Sequence, residues 1–371
     1  MSRKASTVRA KQDLVRLCHR TSDVATLQHD VLRSLRRMLS VDAAFFATAD
    51  PSTLLFTGAY AEEPLAAATS LFLDNEFASA DVNKFATLAS SSTHVASLDA
   101  ATNHDRPSSL RYRDIMSQLG LGDELRAALI VGGECWGYLC LHRKDHELGF
   151  SQSEAALITR LGPHIADALR KTVLLRGSTA AGETCGPGVV LLADDLSLVA
   201  ITPQAEHLLS LVADAGTGTE LPIAVYAVAA ALSALERGTA DPHVLPSTRV
   251  RALSGPWLDI HASRLQGTSG EARTAVIVEV AESGVTIPLL FSAHGLTPRE
   301  AEVARLVLRG ASTRTIVDTL CISPHTVQDH LKAVFNKVGV RSRRDLVGRF
   351  LAPLGSDRPL ARAGDRLTST R

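Results

Sequence analysis

No stretch of this 371-residue chain approaches the 18 or so consecutive apolar positions that a membrane-spanning helix requires. The N-terminus MSRKASTVRAKQDL is basic, but no apolar segment follows it, so a signal peptide is not expected either and a cytoplasmic location is. Cysteine is scarce: Cys18, Cys135, Cys140, Cys185 and Cys321 are odd in number and scattered, a pattern of free thiols in a reducing compartment. Neither GxGxxG nor GxxxxGK[ST] occurs, so a nucleotide phosphate has no cradle, and no set of residues reads as catalytic. Net charge is absent too, with 39 basic residues against 39 acidic.

That zero hides an asymmetry. Residues 291–350 hold ten Arg or Lys against five Asp or Glu, and the tail from Leu351 four against two. What remains, residues 1–290, has 25 basic and 32 acidic groups. An acidic front and a basic back suit a sensor joined to a nucleic-acid binder.

The basic segment, Leu296 to Leu351, predicts four short helices. Thr297, Pro298 and Glu300 form a capping box with proline at the first helical position, and Gly310 ends that helix. Ser312 caps a second helix with Ile316, Val317 and Leu320 facing inward. After a break at Cys321-Ile322, Ser323-Pro324 starts a third, whose apolar stripe is Val327, Leu331, Val334, Phe335 and Val338. Gly339 ends it, and Ser342 caps a fourth with Leu346, Val347 and Phe350 facing inward. The second and third helices make a helix-turn-helix, and the third leaves Thr326, Gln328, Asp329, Lys332 and Asn336 outward to meet base edges or phosphates.

The same segment closely resembles the LuxR-type DNA-binding domain, over about 55 residues. The matching elements are Leu296-Thr297-Pro298-Arg299-Glu300, Glu302-Val303, Gly310, Ser312, Ile316, Leu320, Ile322-Ser323, Thr326-Val327, His330-Leu331-Lys332, Phe335, Lys337-Val338, Val340 and Arg341-Ser342-Arg343. The resemblance implies that Glu302 and Gly310 are structural and that Gln328, Asp329 and Lys332 read bases. Thr326, Arg314, Lys337, Arg341 and Arg343 would face phosphates. Two departures stand out: Thr315 where the family often has Glu, and the acidic Asp329 on a face usually neutral or basic.

Upstream, residues 12–40 predict amphipathic helices, and residues 41–60 a hairpin turning at Asp50-Pro51-Ser52. A second hairpin runs from Arg126 through Gly132-Gly133 to His142, and a helix extends from Ser151 or Ser153 to about Leu175. Helix, hairpin, variable middle, hairpin, helix resembles a GAF domain. Residues 188–202 predict strand, turn and strand, followed by helices over Pro203–Val212 and Ala224–Arg237. Three alternating strands close the region, at Thr248–Leu253, Trp257–Leu265 and Thr274–Val280. This order resembles a PAS-like domain. The fold class expected is therefore multidomain: α+β GAF-like and PAS-like sensor domains before an all-α four-helix LuxR-type helix-turn-helix domain. The boundaries are 1–175 GAF-like, 176–187 linker, 188–281 PAS-like, 282–293 linker, 294–354 helix-turn-helix and 355–371 disordered tail.

His142, Asp145 and His146, with Cys140 nearby, are the one cluster with metal-ligand chemistry. Strand and turn positions give them no common face, and no metal is expected. Cys135 and Cys140, five apart on one strand, should point to opposite faces. No cofactor is expected, although a pocket for an unidentified small molecule in the GAF-like domain stays open. The reading that follows is a transcription regulator that binds double-stranded DNA as a homodimer, with RNA polymerase as a further candidate partner and no membrane. The alternative is a small-molecule-binding or redox/metal-sensing protein whose C-terminal domain mainly docks on another protein.

Overall fold

The computed structural model describes residues 3–20, 23–145, 148–175, 186–212, 219–239, 245–253, 256–266 and 272–351. Its first unit opens with helices α1 (Arg3–Cys18) and α2 (Val24–Arg36), and Asp23 caps α2 by accepting from the Thr26 N–H at 2.9 Å. Strands β1 (Ala43–Ala49) and β2 (Phe56–Ala61) form the expected hairpin. Helices α3 (Thr69–Ala78) and α4 (Phe85–Ser90), strand β3 (Val95–Ser97) and the short α5 (Leu98–Ala101) follow. Then come β4 (Leu121–Val131), β5 (Glu134–Lys144) and the long α6 (Gln152–Leu175). The sheet order is β2-β1-β5-β4-β3. Gly132 and Gly133 turn the β4–β5 hairpin at φ +66° and +82°, backbone angles that only glycine adopts freely.

Side chains of β4 and β5 are buried on both faces. Leu125, Leu129, Leu139 and Leu141 pack under α1, α2 and α6. Ala128, Tyr138 and Cys140 face the other way, toward Leu73 and Phe85 of α3 and α4. The hairpin is not in simple register: Ile130 pairs with Cys135, but Leu129 pairs with Gly137, so one residue of β5 bulges. The bulge corrects one expectation. Cys135 and Cys140 join the same core layer, because the extra residue cancels the alternation between them. Both are free thiols.

The second unit repeats the strand order. β6 (Gly188–Leu192), β7 (Leu198–Ile201), β8 (Ser247–Arg251), β9 (Trp257–Gln266) and β10 (Ala272–Val280) lie as β7-β6-β10-β9-β8, with α7 (Pro203–Ser210) and α8 (Ile223–Glu236) between β7 and β8. The expected strand–helix–strand sequence for residues 188–280 is thus present. Helix α8 is apolar on nearly every side (IAVYAVAAALSALE), and such a helix must be covered all round. Its own sheet covers part of it; α3 and β2 of the first unit cover the rest, merging the two units into one apolar layer. An inter-unit ion pair closes the seam: Arg249 donates to both carboxylate oxygens of the fully buried Asp50, each at 2.7 Å.

The segment 282–293, expected as a linker, is instead helix α9 (Ser283–Ala293). Its sequence TIPLLFSA has apolar groups enough for two partners. Leu289 and Ala293 are buried in the first unit's helical layer, Ile287 and Phe291 in the C-terminal core. Ser292 Oγ also donates to Glu134 Oε1 at 2.6 Å. The linker expected at 176–187 falls mostly, and the tail at 355–371 entirely, outside the described residues. Among the described residues no helix is long and apolar enough to cross a membrane.

Candidate nucleic-acid interface and sensor cavity

Four helices build the C-terminal domain: α10 (Pro298–Leu308), α11 (Thr313–Leu320), α12 (Pro324–Val338) and α13 (Arg343–Leu351). Each start follows the capping chemistry read from the sequence. Thr297 and Glu300 form the reciprocal box, Ser312 accepts from the Thr315 N–H at 3.1 Å, Ser323 from the Thr326 N–H at 3.1 Å, and Ser342 from the Asp345 N–H at 3.1 Å. Gly310 and Gly339 end α10 and α12 at φ +79° and +76°. Cys321 makes the sharp turn between α11 and α12 at φ +52°, an uncommon conformation for a side-chain-bearing residue. Val327, Leu331, Val334 and Val338 bury one face of α12 against Val303, Val307, Ile316 and Leu346.

The opposite face of α12 carries Gln328, Asp329, Lys332 and Asn336, all exposed. These share one side of the helix because they are spaced by one, three and four residues. The Asp329 carboxylate stands 3.0 Å from His325 Nδ1, one turn earlier and also exposed. Arg314 on α11 and Arg341 before α13 are exposed as well. Three of the expected phosphate contacts are placed differently. Lys337 lies on the flank of α12, and its Nζ donates to Glu300 Oε2 at 2.6 Å. Arg343 donates to the Ala311 carbonyl at 3.0 Å and Thr313 Oγ1 at 2.9 Å, joining α13 to the start of α11. Thr326 Oγ1 is 2.9 Å from the Ser323 hydroxyl, within the helix cap. These side chains already have partners inside the domain.

The structural acid also differs from expectation. Among the described residues Glu302 pairs with the neighbouring Arg299 alone, at 2.7 Å, and stays half-exposed. Glu300 is buried; its Oε2 accepts from both the Thr297 N–H, at 2.7 Å, and Lys337. Burial pushes the Glu300 carboxyl up, but Lys337 and the Thr297 amide outweigh it and hold it below the usual range. Sequence spacing shows the Thr297–Glu300 box, yet carries no signal for a lysine 37 positions away.

Residues 294–350 match the model of the luxR family of bacterial regulatory proteins. This segment is a LuxR-family domain. Residues 23–169 match the GAF domain. The LuxR-family segment is 50% identical over 52 residues to Rv0890c of Mycobacterium tuberculosis, named as an HTH-type transcriptional regulator. That alignment covers 14% of this chain and 6% of the relative. It is 43% identical over 54 residues to the transcriptional activator protein ExaE of Pseudomonas putida, covering 15% of this chain and 25% of ExaE. The chain thus spans only a small part of the curated relatives it matches. Escherichia coli SdiA aligns over 91% of this chain and 93% of its own, at 13% identity and a TM-score of 0.33. At that score the likeness bears on neither fold nor function.

The GAF domain encloses a second candidate site, on the sheet face turned toward α3, α4 and α8. A cavity of about 40 Å³ lies there, walled by Phe45, Phe56, Phe72, Leu73 and Phe85 and by Ile223 from the second unit. That is space for roughly three waters. Under this apolar wall runs a buried polar layer. Arg111, fully buried, donates through Nε to Glu124 Oε1 at 2.7 Å and through Nη1 to Asn75 Oδ1 at 3.1 Å. Arg126 donates to Glu76 Oε2 at 2.6 Å and lies 4.4 Å over the Phe85 ring. Burial raises the Glu124 carboxyl, but Arg111 and Arg126 more than reverse this and keep it ionised. Desolvation pushes the Cys140 thiol well up, and lowers His142 to about 4.

Of the candidates His142, Asp145 and His146 with Cys140, for which no common face was expected, Asp145 stands apart from Cys140 and His142. Asp145 faces Arg106, at 3.1 Å, and accepts from the Tyr112 hydroxyl at 2.9 Å; His146 lies outside the described residues. Cys140 and His142 instead meet Glu124, the cross-strand partner of His142.

Proposed function

We propose that this chain is a sequence-specific DNA-binding transcription regulator whose GAF domain and middle unit control the LuxR-family domain. The observation that carries the reading is the exposed row Gln328, Asp329, Lys332 and Asn336 on α12, a capped helix whose other face is buried. Inserted in a major groove, Gln328 and Lys332 supply donors for purine edges, and Asp329 an acceptor for a cytosine amino group. Arg314 and Arg341 supply charge to phosphates; Lys337 and Arg343 hold the domain together instead. Helix α9, shared between the GAF helical layer and the C-terminal core, would carry a change in one to the other. A homodimer on a two-fold site, RNA polymerase as a promoter partner and a cytoplasmic location belong to the same proposal.

Binding of the full chain to labelled genomic fragments, followed at increasing salt, tests it. A binder that neutralises several phosphates loses affinity along a log–log slope of about −0.9 per contact. Binding that is absent, or indifferent to salt, would overturn the reading.

A further inference from the structure

We infer that Glu124, Cys140 and His142 form a site for a divalent zinc-class metal ion, with one coordination position open to the cavity above it. The three side chains are buried, and one ligand atom from each lies within 4.8 Å of the others. Cys140 Sγ is 3.1 Å from His142 Nε2 and 3.4 Å from Glu124 Oε2. Tetrahedral zinc bonded to sulfur at about 2.3 Å and to nitrogen or oxygen at about 2.0–2.1 Å sets those edges near 3.5 Å. The two sulfur edges therefore need shifts of only a few tenths of an ångström, and the third, between His142 and Glu124, is no longer than 4.8 Å.

A second observation is independent of that spacing. The protein does not satisfy this layer by itself: His142 Nδ1 is buried without a hydrogen-bond partner, whereas Arg126 Nε is held 3.3 Å from Glu124 Oε1. Buried polar atoms are otherwise almost always paired, so the unmet ring nitrogen marks a missing ion or water in this layer. The supporting shell is present, since Arg111 fixes the Glu124 carboxylate from the far side. Cys140 and His142 both line the cavity, which provides the fourth position.

Charge limits what fills that position. Arg111, Arg126 and Lys84 oppose Glu76, Asp81 and Glu124 in the same layer, so it is balanced before metal enters. Binding the ion releases the Cys140 thiol proton to solvent and leaves a thiolate, a net gain of one positive charge. A small anion, hydroxide or a halide-sized ligand, restores neutrality. The phenylalanine wall excludes anything much larger.

Cobalt(II) titration of the full chain is the test, because a thiolate on tetrahedral cobalt gives a near-ultraviolet charge-transfer band. One equivalent should bind with that band and release one proton, and zinc should displace it. Cys140→Ser should abolish the band; Cys135→Ser, in the same core layer, should keep it. Azide should shift the visible cobalt spectrum of the wild type. A band lost equally in both serine variants, or surviving in Cys140→Ser, would overturn the assignment. So would cobalt bound without sulfur absorption, which would point to Asp259, His261 and Glu279 on the second sheet. Should Cys140→Ser fail to fold, X-ray absorption at the zinc edge of the wild type decides: one sulfur among the nearest neighbours is expected, and none refutes the site.

Discussion

Replacing Glu300 with alanine should loosen the first turn of α10 and free the flank of α12. The carboxylate accepts from the Thr297 amide at 2.7 Å and from Lys337 at 2.6 Å. Loss of a cap of this kind costs about 1 kcal/mol. The lysine end of the ion pair is about one-third exposed (36%), so water screens it, and that contact adds about 0.5 kcal/mol. The sum, about 1.5 kcal/mol, corresponds to a little over tenfold in an opening equilibrium. In a chain of several packed units, global unfolding is not a two-state event, so local hydrogen exchange is the suitable assay. Amides in the first turn of α10 should exchange about tenfold faster in Glu300→Ala. Glu300→Gln keeps an acceptor for Thr297 and should show only the smaller, ionic part. Equal acceleration in both variants would refute the capping share, and no acceleration in either would refute the whole account. The same carboxyl sets a pH dependence. Its folded-state value lies below the unfolded one, so its stabilisation is complete at neutral pH and is lost as acidification passes through the carboxylate range.

Asp50→Ala leaves the Arg249 guanidinium without its carboxylate at the inter-unit seam, and should destabilise by about 3–5 kcal/mol, read as a lower first thermal transition. Lys332→Ala should weaken specific DNA binding by about 1–3 kcal/mol, whereas Lys337→Gln should leave the salt slope unchanged; fluorescence anisotropy separates the two. Gly310→Ala forces a side chain to φ +79° in otherwise open space, a cost of about 1–2 kcal/mol visible in α10–α11 amide exchange.

The helices of the LuxR-family domain were legible because their signals are local. A cap, a first-turn proline and a terminal glycine act within four residues, so Thr297, Ser323 and Gly339 mark boundaries whatever surrounds them. The outward residues of α12 follow from the same periodicity. Which cations remain available for phosphate did not follow. Lys337 and Arg343 look like surface charges in the sequence, and only the packing of α12 against α10, and the approach of Arg343 to the start of α11, gives them partners. Helix α9 escaped for a similar reason: an apolar run around Pro288 has no meaning until two cores are brought to either side of it.

Hydrophobic alternation and the Gly132-Gly133 turn determined by themselves that β4 and β5 form a hairpin. They could not determine which residues face each other. Continued without interruption, the register at the turn would set Glu124 opposite Leu141. The bulge between Leu129 and Ile130 moves the pairing by one, setting Glu124 opposite His142 and Arg126 opposite Cys140. A side chain's face in a strand changes with every single-residue slip, and the packing of the sheet between two layers selects the slip. The sequence supplied the carboxylate, the thiol and the imidazole; the tertiary structure decided that they meet.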